Sequence, residues 1–223
     1  MTDPETYEVF AVKYAEREAR RPEHFLGGDP HDVPMSMDYF VWAIVGRQAT
    51  VVVDTGFNVH DAQARNRRLL RTAAEGLALI DVDAATAPTV VLTHLHYDHV
   101  GGFDQFPNAR FHLQDREMNF ATGRHMAESE YSHAFTAGHV AEMVMAVHAK
   151  RVQFYDGDGE LAPGISLHHI GGHTDGLQAV RVTTPGGVLV LASDASHYYE
   201  NMEATRPFPI VFDVPAMRNE HCG

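Results

Sequence analysis

Within the run Thr93-His94-Leu95-His96-Tyr97-Asp98-His99, three imidazoles and a carboxylate fall inside six residues. The apolar stretch Thr89 to Leu92 comes before it and Gly101-Gly102 after it. In an extended chain alternate side chains share one face, so His94 and His96 can converge on one cation. Once the chain turns, Asp98 and His99 can face a second. Nitrogen and oxygen donors without thiolate suit Zn²⁺ or another borderline divalent metal. Gly101 and Gly102 are expected to let the backbone turn sharply at positive φ. A surface turn that happens to be rich in histidine is the bland alternative; the buried-looking strand ahead of the run argues against it.

Two further residues fit the same chemistry. His173, in Gly171-Gly172-His173-Thr174, follows the apolar run ending at Ile170, and Asp194 follows Val188 to Ala192. Both therefore sit at carboxyl ends of expected strands, where sites collect in open sheets. A carboxylate such as Asp194 can bridge two divalent ions. The expected ligand set is His94, His96, Asp98, His99, His173 and Asp194.

The elements that must position these residues alternate in type. Strands are expected over 7–14, 39–45, 50–54, 89–92 and 109–113, then 152–155, 165–170, 177–183 and 188–193, with Pro185-Gly186-Gly187 as a hairpin turn. Helical spacing of Leu69, Leu70, Ala73, Leu77 and Leu79 predicts a helix over 60–79. Residues 115–150 read as a helical insertion, in which Met118, Phe120, Met126, Met143 and Met145 suit packing on the core better than an acyl-chain pocket. Arg20 to Met37, with Pro22, Gly27-Gly28, Pro30 and Pro34, reads as a long ordered loop, a common carrier of function. Asp213 is a candidate N-cap of a short last helix.

Composition narrows the field. The 223 residues suit one domain with a substantial core. Formal charge is −13, which disfavours a nucleic-acid backbone as partner. The one cysteine, Cys222, excludes an internal disulfide framework and a clustered thiolate metal site. No apolar run is long enough for a membrane span. The N-terminus, Met1-Thr2-Asp3-Pro4-Glu5, lacks the basic and apolar regions of a secretion signal, so the cytoplasm is the expected compartment.

Asp54 in the first motif, His94/His96/Asp98/His99 in the second, His173 in the third and Asp194 in the fourth resemble the metallo-β-lactamase superfamily. That resemblance implies an α+β fold, an αββα sandwich with two β-sheets flanked by helices, in a single domain over 1–223. It also implies two divalent metal ions, zinc first among them, at one edge of the sheets, and a supporting role for Asp54, although a simple turn residue is the plain alternative. Within the superfamily the sequence looks most like the N-acyl homoserine lactonase group, on HxHxDHxGG, the insertion after it, Ser193-Asp194-Ala195-Ser196 and the loop 18–37. The implied activity is a quorum-quenching one: opening of a small-molecule lactone by a hydroxide shared between the two ions, in a chain compatible with a homodimer.

The pattern also departs from the group. Members carry one more metal-binding histidine well after the bridging aspartate and then a further helix, so the C-terminal part of the domain is expected to be missing. His221 is a poor substitute beside a free chain end. A tyrosine just after the bridging aspartate donates to substrate oxygen in that group. Here Tyr198 and His197 compete for that oxyanion-donor role, and Asp98 is expected to serve catalysis as well as the metal. Other ester, thioester or phosphodiester hydrolysis on the same fold, or a shortened chain with impaired metal binding, are the alternatives.

Overall fold

The computed structural model describes residues 5–47 and 49–220. Among these residues eleven strands form two sheets: β1 (Glu8–Arg17), β2 (Met37–Val45), β3 (Thr50–Val53), β4 (Arg68–Leu69), β5 (Thr89–Val91), β6 (Arg110–Gln114), β7 (Val152–Tyr155), β8 (Gly159–Ala162), β9 (Ile165–His169), β10 (Gln178–Thr184) and β11 (Gly187–Leu191). The first seven make a mixed sheet in the order β4-β1-β2-β3-β5-β6-β7, and the last four an antiparallel sheet in the order β11-β10-β9-β8. From β3 to β7 the pairing is parallel, which puts the carboxyl ends of β3, β5 and β6 on one edge.

The helices are α1 (Val59–Ala64), α2 (Ala73–Ala78), α3 (Tyr97–Val100), α4 (Asp115–Thr122), α5 (Ser129–Ser132), α6 (Ala137–His148), α7 (Tyr199–Glu203) and α8 (Val214–Glu220). Strand alternation explains the layers. Along β2 and β3, Tyr39, Val41, Ala43 and Val52 face Ala62, Leu77, Phe120 and Met143 of the helical layer. The intervening Ile44, Val51 and Val53 pack instead on Leu167, Val180, Val182 and Leu191 of the second sheet. A strand buried on both faces must be apolar at every position, and Val51-Val52-Val53 is. The expected α+β sandwich is therefore the one observed. No helix among the described residues is long and apolar enough to cross a membrane.

The elements differ from expectation in two places. The predicted helix over 60–79 is two short helices with β4 between them. Asn66 takes a left-handed φ of 52° that ends α1, Arg68 and Leu69 pair with β1, and Thr72 starts α2 with a capping box closed by Glu75. Helical spacing does not register such a break, because Ala62 before it and Ala73 and Leu77 after it bury in the same core. The strand β8 was not expected; its Gly-Glu-Leu-Ala sequence carries little β propensity and owes its form to pairing with β9. The insertion is helical as expected. Met143 is fully buried and Phe120 lies in the core, whereas Met145 is exposed. Asp213 caps α8, its carboxylate accepting from Ala216 N at 2.9 Å.

Candidate metal centre

Four loops at the carboxyl ends of strands meet at one edge of the sandwich: Asp54 after β3, the His94–His99 run after β5, His173 after β9 and Asp194 after β11. His173 Nε2 lies 3.1 Å from His94 Nε2 and 2.9 Å from His96 Nδ1. His94, His99 and Asp194 form a second group of converging donor atoms. Asp194 reaches both groups, with Oδ1 3.5 Å from His99 Nε2 and Oδ2 3.5 Å from His173 Nε2. Asp98 Oδ1 stands 4.0 Å from His99 Nε2, on the side of the second group. The structure thus brings together all six residues that the sequence singles out as ligands.

The far nitrogens of three of these rings are already committed. His173 Nδ1 donates to the Ile210 carbonyl at 2.6 Å, His99 Nδ1 to Asp54 Oδ2 at 2.8 Å, and His94 Nδ1 to Thr93 Oγ1 at 3.2 Å. In the neutral ring that arrangement leaves Nε2 as a bare lone pair turned toward the others. Burial pushes His94 and His96 well below the ordinary imidazole range, helped by their neighbouring rings, and burial brings His173 down to about 4. His94 and His173 thus each turn an uncharged Nε2 lone pair toward the point that His96 Nδ1 also faces. The donor set therefore fits a divalent metal.

The second group has the opposite electrostatics. Burial opposes charge on His99, but the carboxylates of Asp54, Asp194 and Asp98 outweigh it and hold the ring well above its usual range. Burial likewise disfavours the charge on Asp194, yet His99 and His197 hold its carboxyl well below the usual range. Asp98 is pushed up by burial and by Asp194, against the pull of His99. A pocket that gathers three carboxylates around one imidazole is prepared for positive charge.

Backbone geometry holds these loops in place. Asp54 takes a left-handed φ of 64°, from which its carboxylate accepts Thr93 N, Thr93 Oγ1 and His99 Nδ1. Thr55 N and Oγ1 both donate to the His99 carbonyl. The glycines after the histidine run act differently from expectation: φ is −68° at Gly101 and −107° at Gly102. Their role is close approach. A Cβ on Gly102 would stand 2.3 Å from the Thr55 carbonyl oxygen, and one on Gly101 2.5 Å from that of Tyr97.

A cavity of about 570 Å³ opens over the centre. Asp98, His99, His173, Asp194 and His197 lie on its floor, and Met37, Tyr39, Phe40, Trp42, Val190 and Phe208 contribute to its walls. Glu23 and His24, from the long loop before β2, also line it, as do Arg17 and Arg67, members of two basic runs whose composition alone reads as solvated helix or loop faces. Pocket residues scattered over strands of ordinary composition carry no local signature. His197 Nε2 lies 3.1 Å from Asp194 Oδ2, and its ring stacks on Phe208 at 3.5 Å between centroids. Tyr198 does not take the expected oxyanion-donor place. Its hydroxyl donates to the Ser36 carbonyl at 2.8 Å and its ring packs on His24, outside the cavity lining. Its neighbour His197 takes the inward position and lines the cavity with Ser196 and Tyr199. His221 lies outside the described residues.

The model of the metallo-beta-lactamase superfamily matches residues 37–219. An N-acyl homoserine lactonase from a Bacillus species is 32% identical over 120 residues, covering 53% of this chain and 42% of the relative. The chain thus matches less than half the length of that curated relative. The fold superposes on the crystal structure of a quorum-quenching N-acyl homoserine lactone lactonase with a TM-score of 0.81 at 19% identity, covering 100% of this chain and 87% of the other. It also superposes on a dizinc quorum-quenching lactonase in complex with a product, with a TM-score of 0.75 at 16% identity over 99% of this chain and 84% of the other.

Proposed function

The chain belongs to the metallo-beta-lactamase superfamily, and from that premise we propose that it is a metal-dependent hydrolase that opens the ring of an N-acyl homoserine lactone or a closely related lactone. The observation that carries this reading is Asp194, whose two oxygens reach toward His99 and His173 and so stand between the two donor groups. The lactonase relative and the lactonase fold neighbours support the choice of substrate.

His94, His96 and His173 would hold one divalent ion, and His99, Asp98 and Asp194 a second. Two such ions, zinc being the expected metal, supply a water that ionises at neutral pH and a Lewis-acid pull on an ester carbonyl. The protein's own contribution is orientation. Thr93, Asp54 and Ile210 fix which ring nitrogen of His94, His99 and His173 carries its proton. His197, held against Phe208, orients the Asp194 carboxylate through Nε2. Asp98, on the cavity floor, is assigned to carry the proton that the departing alkoxide requires. The aromatic walls, Tyr39, Trp42 and Phe208, exclude bulk water and suit an acyl substituent.

The test is proton release at constant pH from a series of N-acyl homoserine lactones, with protein loaded with zinc and its metal content measured. Thioester and phosphodiester substrates run beside them. Lactone opening that disappears on chelation and returns with metal is the expected result. Fully loaded protein that leaves every lactone intact while cleaving a thioester or phosphodiester would overturn the substrate assignment.

A further inference from the structure

Glu117 is the third residue of α4, a position where acidic side chains ordinarily face water and the helix N-terminus. Here it is fully buried. Oε1 accepts Leu95 N at 2.8 Å, and Oε2 accepts Thr174 Oγ1 at 2.6 Å and Gly176 N at 3.2 Å. Leu95 lies between His94 and His96, and Thr174 directly follows His173. One carboxyl therefore spans the two loops whose histidines converge on a single point.

A second observation shows that the chain is built for this contact. A Cβ on Gly176 would stand 2.1 Å from Glu117 N and 2.4 Å from its Cα, so only glycine lets the loop after β9 lie directly on the start of α4. Burial pushes the Glu117 carboxyl up to about 7, against its three donors, so the group is kept inside at an energetic cost. An apolar residue would fill the space at no such cost. What it could not do is satisfy one donor from each loop.

We propose that Glu117 is a positioning residue for the three-histidine metal subsite, acting by tying the loop of His94 and His96 to the loop of His173. It touches no ligand ring and no substrate; it acts through Leu95 N, Thr174 Oγ1 and Gly176 N. The inference rests on the metal-centre reading given above.

The experiment compares the wild-type chain with Glu117→Gln and Thr174→Val. Stepwise affinity for Zn²⁺ is read by competition with a chromophoric chelator, and the absorption spectrum of the Co²⁺-loaded protein is recorded. Glutamine keeps an acceptor for Leu95 N but offers only a donor to Gly176 N; valine removes the one hydroxyl bond to the His173 loop. Both variants should weaken one of two metal equivalents by about ten-fold or more, the scale on which groups that orient metal ligands act. The Co²⁺ spectrum should change with it, and the remaining equivalent should bind as in wild type. A merely structural role would lower the melting temperature of the metal-free protein in both variants and leave affinity and spectrum unchanged; that result overturns the proposal. Wild-type protein that takes up no metal would instead overturn the metal-centre reading beneath it.

Discussion

His99 Nδ1 donates to Asp54 Oδ2 at 2.8 Å, while the same carboxylate takes Thr93 N at 2.8 Å through Oδ1. One side chain at the end of β3 thus fixes both the proton position on a candidate ligand ring and the start of the loop that carries it. Asparagine at position 54 tolerates the left-handed backbone but presents an amide N–H or a weaker acceptor to the ring. Asp54→Asn should weaken one metal equivalent about 10- to 100-fold in chelator competition, the ordinary cost of losing a partner that orients a ligand. Unchanged affinity would show that the His99 ring is held by other contacts.

Metal removal should cost stability as well as activity. Any ion that binds only the folded state adds about 4 kcal/mol at a thousand-fold excess over its dissociation constant. Thermal unfolding should move downward on chelation and recover in proportion to the logarithm of added zinc. A transition indifferent to metal would contradict the assignment of the site.

The pH dependence of the metal-free protein should carry the mark of Glu117. Its carboxyl titrates at about 7 in the folded chain against 4.5 ordinarily, raised by burial. Between those values the folded state holds a proton that the unfolded state has lost, so this group makes stability fall as pH rises from about 4.5 to about 7. Denaturant titrations across that window should show a smaller slope in Glu117→Gln than in wild type, since the amide does not titrate. Equal slopes would place the titration elsewhere.

Gly102→Ala should destabilise the loop under His99. The added methyl would meet the Thr55 carbonyl at 2.3 Å, where neither partner is a flexible side-chain tip. Overpacking of this kind costs about 1–3 kcal/mol, which equilibrium unfolding resolves. An alanine variant as stable as wild type would show that the two loops can part without loss.

Position 197 should matter more to turnover than position 198. His197 meets Asp194 on the cavity floor, whereas the Tyr198 hydroxyl is engaged by Ser36. His197→Ala should lower the rate of lactone opening on the order of ten-fold or more, as removal of a group that orients the reacting centre does. Tyr198→Phe should stay within about two-fold of wild type in rate and lose at most about 1 kcal/mol of stability, the net value of one hydrogen bond. A larger loss in rate at 198 than at 197 would reverse the assignment.

The candidate metal-binding residues were legible in the sequence because the chemistry that suits a metal is local in type. His94, His96, Asp98 and His99 declare themselves by spacing, and His173 and Asp194 by following apolar runs that end at the same sheet edge. The two-layer β architecture was legible because a strand buried on both faces, such as Val51 to Val53, can be written only in apolar residues. Contacts between distant segments were not legible. That Glu117 clamps two loops, that Gly102 is needed for its closeness to Thr55 and not for a positive φ, and that Tyr198 turns toward Ser36 all depend on partners 22 to 162 residues away. Side-chain type and spacing determine which atoms can bind a metal. Only packing decides which of the remaining polar groups face the site and which are spent holding the loops that form it, because a hydrogen bond in the interior is set by whatever donor the fold brings within 3 Å or so.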